Sequence, residues 1–77
     1  MSIELILATL AMNINCDNLS ANERLNFRAV YAYGIERLEE INHTNCTSEE
    51  RDILLRRLHK RLERSLQDLL DGDYGHC

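Results

Sequence analysis

A chain of 77 residues forms one small domain at most, and a chain of this size buries only about 60% of the surface that its unfolded form exposes. It has no proline and only three glycines, which permits long helices, and with a single Phe and three Tyr it must fill its core mainly with aliphatic side chains. A net charge of −4 speaks against general attraction to nucleic acid or to an anionic membrane, and leaves room only for a local basic patch.

The N-terminal residues 1–12 are mostly apolar, but they contain Glu4 and no positive charge. Their apolar stretch is far shorter than the ~20 residues needed to cross a bilayer, and no clear signal-peptide cleavage site follows. Three cysteines, an odd number, argue against a disulfide framework and are typical of a reducing compartment. We therefore expect a cytoplasmic chain. Cys16 and Cys77 are expected at the same end of the molecule, where they could form a disulfide under oxidising conditions.

The first helix is expected at about residues 3–12, with Ser2 as its N-cap. Its apolar residues surround most of the helix, which predicts burial on several sides. These residues are Ile3, Leu5, Ile6, Leu7, Leu10 and Met12.

The second helix is expected at about residues 20–42. Ser20 and Glu23 have the S-x-x-E spacing of a capping box, which marks a helix start. A seam of residues spaced alternately by four and three follows, and its members are Phe27, Tyr31, Gly34, Leu38 and Ile41. Glycine within a helix costs about 1 kcal/mol relative to alanine, so we interpret Gly34 as the mark of a close helix crossing.

The third helix is expected at about residues 48–70, after a second capping box that runs from Thr47 to Glu50. Leucines at helical spacing predict one buried stripe, made of Leu55, Leu58, Leu62, Leu66 and Leu69. Gly72 is typical of the residue that ends a helix, and the tail 72–77 is expected to be mobile.

These elements predict an all-α protein with one small helical domain over residues 1–77. A short N-terminal helix would accompany a long antiparallel hairpin of helices 2 and 3, because a short loop joins them. One short helix cannot cover such a hairpin from end to end, and the uncovered apolar strip favours a homodimer with a four-helix core. The seam residues of helices 2 and 3 would then form either the core of the chain or the dimer contact.

Metal binding and catalysis are not expected. The ligand-type residues His43 and Cys46 lie at the loop end of the hairpin, whereas Cys16, His76 and Cys77 lie at the other, some 30 Å away on the helical rise. The sequence also lacks a glycine-rich phosphate loop, paired carboxylates and a nucleophile placed beside a base. We predict no metal, no cofactor and no enzymatic activity.

The functional candidate is a basic face on the third helix. Between Arg51 and Arg64 six basic residues accompany only Asp52 and Glu63, a local charge of +4 in an acidic chain. The residues expected to bind a partner are Arg56, Arg57, Lys60, Arg61 and Arg64, together with Tyr33 and Arg37 on helix 2. The open alternatives are a solvated face balanced by Asp52 and Glu63, an acidic protein partner, or nucleic acid. Tyr33 has its own alternative, which is packing under helix 1.

Two short runs, Leu19-Ser20-Ala21-Asn22-Glu23 with Phe27, and Arg37-Leu38-Glu39-Glu40-Ile41, resemble the Hha-type nucleoid-modulator family. Members of that family are small helical proteins that act by binding another regulator. The likeness requires a shift in spacing, does not extend to the third helix, and does not assign the chain to the family. In size and lack of catalytic motifs the chain also resembles small accessory proteins of phages and mobile elements, many of which inhibit a host protein.

We therefore expect a non-enzymatic protein-binding module that regulates or inhibits a macromolecular partner by steric or electrostatic blocking. The alternatives are a nucleic-acid-associated regulator that uses the same basic face, and a structural or assembly subunit. Binding to phosphates should weaken steeply as salt rises, and that response separates the first two functions.

Overall fold

The computed structural model describes residues 2–71, which form three α-helices and no strand. Helix α1 spans Ile3–Ile14, α2 spans Ala21–His43 and α3 spans Ser48–Asp71. The predicted all-α class with three helices is confirmed. Helix α1 continues to Ile14, two residues beyond its expected end. The tail 72–77, for which we predicted mobility, lies outside the described residues.

Each helix begins beside a hydroxyl side chain that accepts a backbone N–H. Ser2 accepts the N–H of the residue three positions later at 3.1 Å, and Ser20 and Thr47 do the same at 3.2 Å. Caps of this kind contribute about 1 kcal/mol each. The hydroxyl half of both predicted capping boxes is therefore present, and it explains why the helices begin where they do.

The core is formed by one face of each helix and by the turn between α1 and α2. Its buried apolar residues are Ile6, Leu7, Leu10, Cys16, Leu19, Phe27, Ile41, Leu58, Leu62 and Leu66. Cys16 and Leu19 belong to the turn and are as buried as the helix residues. The turn thus closes one end of the core instead of only connecting two helices.

All three helices approach one another at Gly34. A β-carbon at this position would lie 2.8 Å from Leu7 Cδ2 and 3.2 Å from both δ-carbons of Leu62. Carbon atoms of a side chain pack at about 3.5–4.0 Å, so any larger residue would have to displace its neighbours. This contact supports the interpretation of Gly34 as a close crossing point.

The predicted seam is partly buried within a single chain. Its buried members are Phe27, Gly34, Ile41, Leu58, Leu62 and Leu66. Its half-buried members, which pack against the core, are Tyr31, Leu38, Leu55 and Leu69. Helix α1 packs on both α2 and α3, so the buried part of the seam belongs to the core of the single chain.

The expected burial of α1 on several sides is not found within residues 2–71. Helix α1 buries Ile6, Leu7 and Leu10 but leaves Leu5 53% and Met12 72% exposed. The reason is geometric, since α2 and α3 are the only described elements against which α1 can pack, and both contact the same side of it. Leu25 on α2 and Ile53 on α3 are also large and exposed, at 57% and 50%.

The described helices make an elongated body of 43 × 19 × 16 Å. The radius of gyration is 13.4 Å, compared with roughly 11.5 Å for a compact chain of this length. Elongation leaves a large share of each long helix on the surface. Within residues 2–71, no helix is both long enough and apolar enough to span a membrane.

Cys16 and Cys46 differ in chemical state. Cys16 is buried, at 4% exposure, and takes part in a disulfide. Cys46 lies in the loop between α2 and α3, is half-buried and is free. The odd number of cysteines argued against a disulfide framework, and a disulfide between Cys16 and Cys77 was considered only for oxidising conditions. Cys77 lies outside the described residues.

Candidate functional site

A groove between α2 and α3 contains part of the predicted basic face. Its lining residues are Tyr33 and Arg37 of α2 and Leu54, Arg57, Leu58 and Arg61 of α3. We call these six residues the basic groove. Its volume is about 260 Å³, below the ~300–1,000 Å³ typical of small-molecule sites. A groove of this size suits one or two side chains of a partner better than a cofactor.

The periodicity of α3 places these residues at the edge of its buried stripe. Leu58 is buried at 4% exposure and forms the apolar floor with the half-buried Leu54. Arg57 and Arg61 are one turn apart and exposed, because they lie on the side of the helix that turns from the core toward solvent. The groove therefore combines cationic walls with an apolar floor.

The guanidinium group of Arg61 lies over the ring of Tyr33, with 4.9 Å between Arg61 Cζ and the ring centroid. A cation–π contact of this kind contributes about 0.5–1 kcal/mol at an exposed site. Stacked arginines retain N–H groups for hydrogen bonds to carboxylates. Tyr33 is half-buried against α3, so it does not occupy the position under helix 1 that we considered.

Arg37 differs from the other two arginines of the groove. Its Nη1 donates to Glu40 Oε2 at 2.6 Å, and the two side chains are 45% and 64% exposed. An exposed pair of this type contributes about 0–1 kcal/mol, but it neutralises part of the charge of Arg37. Within residues 2–71, Arg57 and Arg61 form no ion pair. These two residues therefore carry the available positive charge of the groove.

The remaining cations of the predicted face are exposed and lie outside the groove: Arg56, Lys60 and Arg64. We considered that Asp52 and Glu63 balance this face through contacts along the helix. Glu63 instead lies 3.7 Å from His59, and none of the ion pairs of residues 2–71 involves the five cations of the face.

Arg51 lies in the first turn of α3, and its side chain contacts the loop that precedes the helix. Its Nη2 donates to the carbonyl oxygen of Thr44 at 3.4 Å, and its backbone N–H donates to Thr47. The side chain thereby ties the start of α3 to the end of α2. Counting charges along the sequence included Arg51 in the +4 segment, whereas the structure gives it a role in closing the loop.

Sequence analysis missed the apolar part of this surface. Ile53 is 50% exposed and lies one turn before Arg57 on α3, outside the residues that line the groove. A signal was present, because Ile53 and Leu54 fall outside the leucine stripe that defines the buried face of α3. A surface that mixes apolar and cationic residues is typical of protein interfaces.

Among residues 2–71, no three His, Cys, Asp or Glu side chains are grouped as they would be around a metal ion. His43 and Cys46 are both at the loop end, as expected. His76 and Cys77, the other potential ligands named from the sequence, lie outside the described residues.

No protein-family model matches the chain, and neither curated proteins nor solved structures contain a match. The resemblance to the Hha-type family thus depends only on the short runs that suggested it. Any function must be argued from the basic groove and from the surfaces around it.

Proposed function

We propose that this chain is a non-enzymatic, protein-binding regulator whose basic groove accepts an acidic segment of a partner protein. The observation that carries the proposal is the placement above an apolar floor of Arg57 and Arg61, which form no ion pair within residues 2–71. A carboxylate of the partner would bind their guanidinium groups, and a neighbouring aliphatic or aromatic side chain would contact Leu54 and Leu58. Occupation of the partner's acidic segment would block its other contacts, which is a simple route to regulation or inhibition.

The apolar floor favours a protein partner over nucleic acid. Phosphate binding needs cations that follow a backbone and gains nothing from Leu54, Leu58 or the exposed Ile53. The chain as a whole carries a charge of −4, which would oppose a polyanion at long range. A short acidic segment avoids this cost because it contacts only the +4 region of α3.

The proposal includes an antiparallel hairpin of α2 and α3 as the scaffold of the groove. Two contacts support this arrangement. Tyr33 meets Arg61, while Arg37, further along α2, shares the groove with Arg57, which is earlier in α3. Residues further along α2 therefore lie beside residues that come earlier in α3, as in an antiparallel pair of helices. Both walls of the groove then belong to regular helices, which hold a binding geometry better than loops do.

The test compares two double variants with the same change in charge. Arg57→Glu with Arg61→Glu reverses the two cations of the groove, and Arg56→Glu with Lys60→Glu reverses two exposed cations of the same helix outside it. Tagged forms of the wild type and both variants are used for pull-downs from the native host, with and without nuclease, over a salt series. Circular dichroism melts of all three establish that folding is unaffected.

We expect one partner to be recovered stoichiometrically by the wild type and by the Arg56/Lys60 variant, with or without nuclease. The Arg57/Arg61 variant should lose it, since the groove contacts are charge-assisted hydrogen bonds and their replacement creates repulsion. Equal loss in both variants, together with dependence on nuclease and a steep fall with salt, would contradict the proposal and favour nucleic acid. Retention of the partner by the Arg57/Arg61 variant would also contradict it.

A second candidate function is that of an assembly subunit, and the open side of α1 favours it. Leu5 and Met12 are seven positions apart, so they lie on the same side of α1, at 53% and 72% exposure. A larger complex would cover them. Substitution of both residues by Gln distinguishes the functions, because it should abolish recovery of an assembly but leave groove-dependent capture unchanged.

A further inference from the structure

The outer face of α2 carries a regular pattern that the proposed function does not use. Seven exposed residues follow one another at intervals of four and three positions: Ala21, Leu25, Arg28, Ala32, Glu36, Glu39 and His43. This spacing places all of them on one side of the helix. We call them the outer stripe of α2.

Opposite charges occupy the two halves of this face. The N-terminal half has a shallow depression lined by Ala21, Arg24, Leu25 and Arg28. The C-terminal half has another, lined by Glu36, Glu39, Glu40 and His43. Within residues 2–71, neither the two arginines nor Glu36 and Glu39 form an ion pair. A helix face whose charges are segregated by sign can attract a surface with the opposite order of charges.

The positions of these charged residues are symmetric about Ala32, the midpoint of the outer stripe, and the charges at matching positions have opposite signs. Arg28 and Glu36 are each four positions from Ala32, and Arg24 and Glu40 are each eight positions from it. Two antiparallel copies of α2 that cross at Ala32 would therefore place Arg28 of each copy beside Glu36 of the other. The same register would bring Arg24 toward Glu40, which its own chain holds through Arg37.

We propose that a second copy of this chain docks antiparallel on the outer stripe, with the two-fold axis at Ala32. A two-fold contact requires a self-complementary surface, and the exchange of Arg28 and Glu36 about Ala32 meets this requirement. In a parallel arrangement with the same register, each charged residue would face the identical residue of the other copy, and the two would repel. The occupant is thus identified by the order of charges on the stripe itself.

The centre of the stripe permits close approach. Ala29 and Ala32 are exposed and present only methyl groups where the two helices would cross. Helix axes can come within about 8 Å when small residues lie at the contact. Leu25, at 57% exposure, would be covered at each end by the aliphatic part of Glu39 of the second copy.

The contact is small, so the dimer is weak and depends on concentration and salt. A strip along α2 is about 35 Å long and 10 Å wide, or roughly 350 Å² per copy. Stable interfaces bury about 800 Å² per partner, and exposed ion pairs are screened by salt. The dimer leaves the basic groove accessible, because Tyr33 and Arg37 lie on a different side of α2. The inference therefore stands or falls independently of the proposed function.

Charge exchange tests the register. Sedimentation is measured over a concentration series at low salt for the wild type, for Arg28→Glu, for Glu36→Arg and for the double variant. Each single change turns two attractive pairs of the dimer into repulsive pairs, so it should weaken association at least about tenfold. The double variant exchanges the charges and should restore association to within a few-fold of the wild type.

Cysteine crosslinking tests the axis and detects even a weak dimer. Ala32→Cys, in a Cys46→Ser background, should form a disulfide-linked dimer under mild oxidation much faster than Asn26→Cys, an exposed control on another side of α2. Equal rates for the two variants would overturn the proposal. So would single charge variants that associate like the wild type, or a double variant that fails to recover. Association abolished only by Leu5→Gln with Met12→Gln would assign the dimer to α1 instead.

Discussion

Tyr33 and Gly34 are neighbours in the sequence but belong to two different regions of the molecule. Gly34 lies at the crossing of the three helices, where an added β-carbon would be 2.8 Å from Leu7. Tyr33 lies in the basic groove, where it contacts Arg61. The same division is repeated on α3, where Arg61 faces the groove and Leu62, the next residue, is fully buried. On each helix, two neighbouring residues thus lie on different faces. One face stabilises the fold, and the other is the face proposed to bind.

This comparison can be tested by substitutions at adjacent positions. The largest effect is expected for Leu62→Ala, which removes a side chain of 0% exposure that packs against Gly34. Loss of burial and the resulting cavity should lower the free energy of unfolding by about 3 kcal/mol. Chemical denaturation measures this directly. Arg61→Ala is the matched control and should change stability by less than about 1 kcal/mol, because it removes only the contact with Tyr33. Equal losses at the two positions would show that the groove is part of the core.

A smaller effect is expected for Gly34→Ala. Alanine gains about 1 kcal/mol in helix propensity, but its methyl group collides with Leu7 and Leu62, and overpacking costs about 1–3 kcal/mol. We expect a net loss of about 1 kcal/mol. In a Leu7→Ala background the closest collision disappears, so the same substitution should become neutral or stabilising. A double-mutant cycle by denaturation measures this coupling, and purely additive effects would contradict the close crossing.

The smallest effect is expected for Tyr33→Leu. The side chain remains apolar and half-buried, but the cation–π contact with Arg61 is lost, at a cost of about 0.5–1 kcal/mol. Thermal melts should therefore shift by only a few degrees. Capture of the partner should decline more clearly, because Arg61 is no longer held in place. Tyr33→Phe is the control, because it retains the ring. If Tyr33→Leu captures the partner as well as the wild type does, Tyr33 is not part of the binding surface.

Local signals predicted the helices because local interactions form them. Ser20 and Thr47 cap their helices as the capping-box spacing indicated, and the leucines of α3 form its buried stripe. The expected ranges differ from the observed helices by at most two residues. These features require only contacts within about one turn of helix, so the order of residue types was sufficient.

Long-range contacts explain the differences between prediction and structure. An apolar helix such as α1 was expected to be buried on several sides, but within residues 2–71 its neighbours lie on one side only. The burial of Cys16 and Leu19 was not predicted, and it arises because the turn between α1 and α2 folds over the end of the helix packing. Arg51 was counted in the +4 segment, but its side chain contacts the loop before α3 at Thr44.

The sequence by itself determined the helical class, the starts of the helices, the apolar stripe of α3 and the surplus of cations beside it. Those properties follow from hydrophobic periodicity and from hydrogen bonds between residues close in the chain. Only the tertiary structure decided that Arg57 and Arg61, but not Arg56 and Lys60, share a groove with Tyr33 of α2. The physical reason is that a groove belongs to two helices at once, and the rotation of each about its axis is set by packing around Gly34.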